Sequence, residues 1–331
     1  MRLGSEGTLF LHYPCFDGLV SAAIAWDFLE GAKGWKIADF QPVNYDRAAS
    51  WVKTDLPRRA AIVDFLYHPQ AAFWADHHET TFASELHRHE YDINAAGHML
   101  FYDPAAPSCG MMLFSALSDD LSDPERYRQM ASWADRIDGA QYSSVEEAVI
   151  GSAPAIIINL SLTGARDDAY FQQLLCAMRF KTLDEVAALP EVRSRAEDVR
   201  ARTQMGLRLV KNAVKLEPGG IAVFAVSPDA GDIVNRYSAY YFLPTARYSV
   251  ALVLSPKDAK ITAMRNPWID FDSVPLGPIF KKYGGGGHQR VASVVIPANN
   301  GIDYKAAMAS IVDEIRHQDV SRVGEAQRRS A

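Results

Sequence analysis

Cysteine is scarce in this chain of 331 residues. Cys15, Cys109 and Cys176 are an odd number at wide spacings, which argues against a disulfide framework and for a reducing compartment. Positive charge is also short: 34 Lys and Arg stand against 40 Asp and Glu, a net charge of −6, so no basic face announces long nucleic acid as a partner. No apolar run approaches the roughly 18 residues needed to span a bilayer. The opening MRLGSEGTLFLHY lacks the long apolar core of a signal peptide. There is no internal repeat and no low-complexity tract. These absences predict a cytoplasmic protein that engages neither membrane nor long duplex nucleic acid.

What is present describes an ordinary globular protein, with 48% hydrophobic and 22% charged residues. Its length predicts two domains with separate cores. GTLFLHY, RAAIVDF and HMLFYDP read as buried strands. DGLVSAAIAWDFLEG reads as a helix closed by Gly31, AAFWADHH as a helix-to-strand passage, and PSCGMMLFSAL as a helix. This order predicts an α/β fold with a mostly parallel, doubly wound sheet, whose sites lie at the carboxyl ends of its strands. From about Ser122 to Leu216 the pattern turns helical, and LPEVRSRAEDVRARTQMGLRLVKNAVKLEPGG reads as one long connecting helix stopping at Pro218, Gly219 and Gly220. IAVFAV, YSVALVLS and AKITAMR then read as strands and GIDYKAAMASIVDEIRHQ as a closing helix, a second, smaller α/β domain. The expected division is 1–188 for a metal-binding domain with a helical extension, 189–217 for the linker helix, 218–318 for the second domain and 319–331 for a frayed tail.

The stretch WADHHETT, residues 74–81, places Asp76, His77 and His78 in a row. His12, Asp17, Asp64 and Asp135 also fall at strand ends or helix starts in this reading. Divalent ions that handle phosphate take carboxylate and imidazole ligands, and two neighbouring ions need a bridging carboxylate. The N-terminal half offers enough such groups for a binuclear site. Taken singly, each reads equally as a cap, a turn or a hydrogen-bonded core residue.

HYPCFDGLVSA (12–22), AAIVDF (60–65), WADHHE (74–79) and WADRIDGA (133–140) stand in the order and approximate spacing of the four motifs of the DHH phosphoesterase superfamily. YGGGGHQRVASV (283–294) resembles the GGGGH signature of the C-terminal domain called DHHA1. The resemblance covers nearly the whole chain. It implies that Asp64 bridges two Mn2+ ions, with His12 on one and Asp17, His77 and Asp135 on the other. Asp76 and His78 would be catalytic supports, orienting ligands or meeting the leaving oxygen; a structural hydrogen bond is the other reading of His78. The family's first motif usually carries two aspartates, and Cys15 occupies the first of those positions here. As a thiolate ligand Cys15 would favour Zn2+ or Co2+; its other reading is a small buried thiol. Asp138, three residues after Asp135 on one helix face, is a substitute ligand from the same segment.

Four consecutive glycines are costly to order unless the backbone must adopt positive φ or approach something closely. The amides of Gly284, Gly285, Gly286 and Gly287 can form an anion-binding concavity, with His288 as the next donor. The plain alternative is a tight turn between LGPIFKKY and VASVVIP. Arg265 matches the position from which relatives present an arginine to substrate phosphate. The resemblance thus implies a phosphoesterase acting on short oligonucleotides or small nucleotides: di- to penta-ribonucleotides, 3′-phosphoadenosine 5′-phosphate, or cyclic dinucleotides and their linear products. A nucleotide-binding sensor that lost one metal site is the alternative. The helices are compatible with a homodimer, although amphipathic helices more often pack within their own chain.

Overall fold

The computed structural model describes residues 6–95, 99–164, 167–287, 289–298 and 301–329. The chain divides into two compact units, Met1–Gln141 with Ser152–Glu197, and Tyr142–Gly151 with Asp198–Ala331.

The first unit is built on β1 (Glu6–His12), β2 (Lys36–Val43), β3 (Ala60–Val63), β4 (Phe73–Asp76) and β5 (Met99–Tyr102). They form one sheet in the order β2-β1-β3-β4-β5, with every pair parallel. Ala60–Val63 and Phe73–Asp76 are buried along their whole length, as expected of central strands covered on both faces. One face is covered by α1 (Phe16–Gly31), followed in chain order by α2 (Glu85–Asn94), α3 (Cys109–Leu117) and α4 (Pro124–Asp138). Of these, α1, α3 and α4 join the larger apolar cluster, in which Leu19, Leu113 and Met130 pack over Leu9, Leu11 and Val63. α1 is apolar nearly all round and almost wholly buried, the signature of a central helix. The opposite face carries Trp51, Phe65 and Trp74, with Tyr91 of α2 packed against them. The register pairs Leu11 with Val63 and Val63 with Ala75. The next residues, His12, Asp64 and Asp76, therefore lie level at the carboxyl ends of three adjacent strands.

The chain then runs through α5 (Val145–Ile150), α6 (Pro154–Ser161), α7 (Asp168–Phe180), α8 (Leu183–Ala187) and α9 (Pro190–Ala213). In the second unit follow β6 (Lys215–Glu217), β7 (Ile221–Val226), α10 (Ser238–Phe242), β8 (Tyr248–Leu254), β9 (Asp258–Arg265), α11 (Leu276–Lys281), β10 (Gly286–Gly287), β11 (Val291–Pro297) and α12 (Tyr304–Arg329). The sheet order is β10-β11-β9-β8-β7-β6, and only β7 and β8 run parallel. Ile279, Phe280, Ile311 and Ile315 of α11 and α12 pack on Val250, Leu252 and Ile261. The other face of the sheet carries a cavity of about 520 Å³. The segment Tyr142–Gly151 belongs to this unit although it interrupts the first in sequence. It is tied there by Trp268 Nε1, which donates to Tyr142 O at 2.9 Å, and by Asn235 Nδ2, which donates to Ala148 O at 3.4 Å.

Four local expectations need correction. β2 has no counterpart in the sequence reading, because KIADFQPV is an edge strand whose exposed Lys36 and Asp39 and half-buried Gln41 break the apolar run. AAFWADHH contains no helix: Phe73–Asp76 is a strand from its first residue. The long connecting helix ends at Ala213, and Lys215–Glu217 instead pairs antiparallel with β7. The supposed tail continues the closing helix to Arg329, since EAQRR favours helix and carries no proline.

Candidate metal centre

The metal-competent residues of the first unit converge at the strand ends. His12 ends β1, and its Nδ1 lies 3.3 Å from Asp64 Oδ2. Asp64 follows β3 with a left-handed backbone, φ 54°, which costs on the order of 1 kcal/mol in a residue with a Cβ. Its amide donates to Ala75 O at 2.8 Å, which fixes the turn that aims the carboxylate. Asp17 lies in the first turn of α1, where Gly18 allows the helix to approach β1. Its two oxygens accept from Cys109 N at 2.8 Å and Gly110 N at 2.7 Å, so α3 positions it with its own N-terminus.

His77 is oriented from behind. Its Nδ1 lies 3.0 Å from Ala106 O; a carbonyl only accepts, so the ring proton sits on Nδ1 and the Nε2 lone pair faces the cluster. From Nε2, Asp17 Oδ2 and Asp64 Oδ1 are each 3.7 Å away and Asp138 Oδ2 is 3.5 Å away. Such gaps exceed hydrogen-bond length and match ligand atoms sharing one ion at about 2.1 Å each. His77 Nε2 and Asp64 Oδ1 are buried with no hydrogen-bond partner. Orphaned acceptors of this kind are rare without a ligand, so the residues present fit a cation. Among the described residues, three sets of candidate ligands have donor atoms within 4.8 Å of one another: Asp64, Asp76, His77 and His78; His12, Cys15 and Asp64; Asp17, His77 and Asp138. Asp64 is common to two of them and His77 to two.

Asp76 is already engaged. Its Oδ1 accepts from His77 N at 2.8 Å and pairs with His78 Nδ1 at 2.8 Å, while Oδ2 accepts from Thr81 Oγ1. It therefore braces the two histidines and holds the His78 ring through Nδ1. Cys15 caps α1 without a side-chain capping bond, and burial, then Asp64 and Asp17, push its thiol well above the usual range. Asp135 belongs to none of the three sets: Ser108 Oγ donates to its Oδ1 at 2.6 Å. Asp138, at the end of α4 with its side chain 34% exposed, stands in the third set instead.

No protein-family model matches the sequence, and no curated protein matches it. Solved structures do match. The pGpG-specific phosphodiesterase PggH from Vibrio cholerae is 19% identical with a TM-score of 0.70, over 93% of this chain and 99% of that one. An exopolyphosphatase-related protein from Bacteroides fragilis is 12% identical with a TM-score of 0.54, over 96% and 93%. RecJ from Thermus thermophilus, solved with Mn2+, is 14% identical with a TM-score of 0.53, over 97% of this chain and 53% of RecJ. The chain has the DHH/DHHA1 fold. At such identities the likeness carries the fold, and the chemistry rests on the side chains themselves.

In the DHH unit the carboxylates repel one another. Burial first, then Asp138, pushes Asp17 from 3.8 up to about 6. Burial, then Asp17 and Asp76, holds Asp64 well above the carboxylate range. Burial, then His78, lowers His12 and keeps its ring neutral. Burial alone would also lower His78, but the hydrogen bond and charge of Asp76 outweigh it and leave it raised. A carboxyl whose pKa is higher folded than unfolded binds more protons in the folded state, so stability falls as pH rises. For metal-free protein, Asp17 contributes a loss of about 3 kcal/mol between pH 4 and 6, and Asp64 acts in the same direction. Calorimetry of EDTA-treated protein is expected to show Tm falling across that window, and the slope flattening in Asp17→Asn. An unchanged slope in the variant would refute the account. A divalent cation binds the deprotonated form, so its affinity rises over the same pH range.

The DHHA1 unit holds the other residues singled out by sequence. Gly284 and Gly287 have φ values of 79° and 145°. Gly286 and Gly287 pair with Ser293 and Ala292 of β11. A Cβ on Gly287 would meet Ala292 Cα at 2.4 Å, and one on Gly285 would meet Ser293 O at 2.5 Å. Two of the four glycines are therefore spent on close packing, while Gly286 and Gly287 border the 520 Å³ cavity. His288 lies outside the described residues. Arg265 donates to Asn266 O at 3.3 Å and Phe271 O at 3.0 Å and stacks on the Phe271 ring at 4.6 Å. Its fork is largely occupied, and it borders a separate 350 Å³ cavity with Gln289 and Arg290.

Sequence reasoning missed Ser108, Thr81, Ala106 and the Cys109–Gly110 amides. Each acts through a backbone group or a hydroxyl, and all but Thr81 lie far along the chain from their partners, so no motif marks such a role.

Proposed function

We propose that this protein is a metal-dependent phosphoesterase that hydrolyses short oligonucleotides or small nucleotides with a metal-activated water. The observation that carries the reading is the pair of buried, partnerless ligand atoms, His77 Nε2 and Asp64 Oδ1, with Asp64 common to two ligand sets. The likeness to a phosphodiesterase named for pGpG and to RecJ solved with Mn2+ supports nucleotide phosphate as substrate and Mn2+ as the ion.

Asp64 would join the two sides of the centre, with His12 and Cys15 on one side and His77 on the other, where His77 in turn stands with Asp17 and Asp138. Divalent cations bound there would acidify water and offset charge on phosphate oxygens. Ala106 holds the His77 tautomer, and the α3 amides hold Asp17. Asp76 fixes the His78 ring through Nδ1, so His78 Nε2 is placed to give a proton to the departing oxygen. In the second unit, Gly286 and Gly287 border a cavity that offers backbone groups to a nucleotide.

The test is hydrolysis by metal-stripped protein with Mn2+, Zn2+ or Co2+ restored, over a ribodinucleotide, 3′-phosphoadenosine 5′-phosphate and cyclic di-AMP. Mn2+-dependent release of nucleotide from one of them is the expected result. Silence with every ion across the panel would overturn the enzyme and favour the nucleotide sensor.

A further inference from the structure

In the second unit β9 ends on Arg265, and β11 begins at Val291, directly after Arg290. The antiparallel ladder pairs Met264 with Val291, and one residue further on Arg265 N donates to Arg290 O at 2.8 Å. The two arginines therefore stand opposite one another on one face of the sheet. Strand alternation accounts for where they point: Met264 and Val291 line the 520 Å³ cavity, whereas Arg265 and Arg290 both line the separate cavity of about 350 Å³, with Gln289 between strand and loop. A further backbone bond, from Leu276 N to Gln289 O at 3.1 Å, pins the chain just before Arg290.

The two side chains are not equivalent. Arg265 is 10% exposed and is held by the carbonyls of Asn266 and Phe271 and by the Phe271 ring, so it supplies a fixed charge. Arg290 is exposed, and its guanidinium makes no hydrogen bond or ion pair among the described residues. Like charges placed opposite each other across a ladder repel. The carboxylates of the same cavity do little to relieve this: Asp270 and Asp272 are exposed to water, and Asp270 stands 3.8 Å from Arg265, beyond hydrogen-bond length. An anion between the arginines would relieve it.

The geometry points to a pocket for a terminal phosphate monoester of the nucleotide, in which Arg290 grips two phosphate oxygens and Arg265 adds its fixed charge. A planar fork with all its donors free suits that grip. A monoester is close to a dianion at neutral pH, whereas each internal diester carries a single charge, so a site with two guanidinium groups discriminates between them. The protein thus favours nucleotides with a free terminal phosphate over those whose phosphates are all diesters. The inference deepens the phosphoesterase reading by naming which nucleotides bind, and it rests on that reading for its meaning. Its test reads binding and is separate from turnover.

Titration calorimetry on metal-stripped full-length protein compares a plain ribodinucleotide of adenosine with its 5′-phosphorylated and 3′-phosphorylated forms. Wild-type protein is expected to bind one of the phosphorylated forms about tenfold more tightly than the plain dinucleotide, and the form that gains names the end that is held. Arg290→Gln, a change at an exposed side chain that leaves the Tm in place, reduces the margin to about twofold or less and leaves affinity for the plain dinucleotide unchanged. Arg290→Lys, a point charge without a fork, keeps part of the margin. Equal affinity of wild-type protein for all three ligands, no binding of any, or an undiminished margin in Arg290→Gln would overturn the inference. The two readings fail separately: a protein that shows the margin yet hydrolyses nothing in the metal panel has lost the phosphoesterase reading alone, and one that hydrolyses a panel member without the margin has lost this inference alone.

Discussion

Asp64→Asn is expected to lower metal-dependent hydrolysis by at least about 10³-fold while leaving the protein folded and, without metal at pH 8, more stable than wild type. Two opposed effects meet at this residue. Asp64 is the carboxylate common to two of the candidate ligand sets, the one with His12 and Cys15 and the one with Asp76, His77 and His78, so losing its charge is expected to remove several kcal/mol of charge stabilisation, about 1.4 per tenfold in rate. In the metal-free state the same carboxylate is buried, has one oxygen without a partner and is held well above its normal pKa by burial and by Asp17 and Asp76. Asparagine removes the repulsion and is among the residues that tolerate left-handed backbone, as φ 54° requires. Rate assays with Mn2+, paired with Tm of EDTA-treated protein, read both effects. Full activity in the variant would sink the shared-ligand assignment; a metal-free Tm below wild type would sink the electrostatic one.

Gly18→Ala is expected to destabilise the protein by about 4 kcal/mol or more, or to prevent folding. A Cβ at this position would stand 2.1 Å from His12 O and 3.3 Å from Asp64 Oδ2. The carbonyl is part of β1 and cannot rotate away as a side chain could, so α1 would have to shift off the sheet. That shift would carry Asp17 from the α3 amides as well. Denaturant titration of the variant, with Mn2+ affinity measured on any soluble fraction, checks this. A Gly18→Ala protein with wild-type midpoint and wild-type affinity would show that α1 does not depend on this approach.

Much of this fold is legible in the sequence, for physical reasons. β1, β3 and β7 are continuous apolar runs because both their faces are covered, and such runs stand out. β2 and the short β6 are edge strands with polar exposed positions, and their signal vanishes into the surrounding loops. The candidate centre is legible where its side chains sit at or just after strand ends, as those of His12, Asp64, Asp76 and His77 do. It is less so on α4, where Asp135 and Asp138 share a helix face and only the surroundings separate them: Ser108 takes Asp135, leaving Asp138 beside His77. The role of Arg265 is similarly invisible until the Phe271 carbonyl and ring are seen beneath it.

The return of Tyr142–Gly151 to the second unit bears on how the polypeptide can be dissected. No single cut separates the two units. A fragment beginning at Asp198 would lack the carbonyls that receive Trp268 and Asn235, and one ending at Glu197 would carry a ten-residue segment, α5 included, stripped of its packing. Halves made by limited proteolysis or by splitting the coding sequence would therefore each be incomplete, and a faithful separation has to excise an internal piece and transplant it.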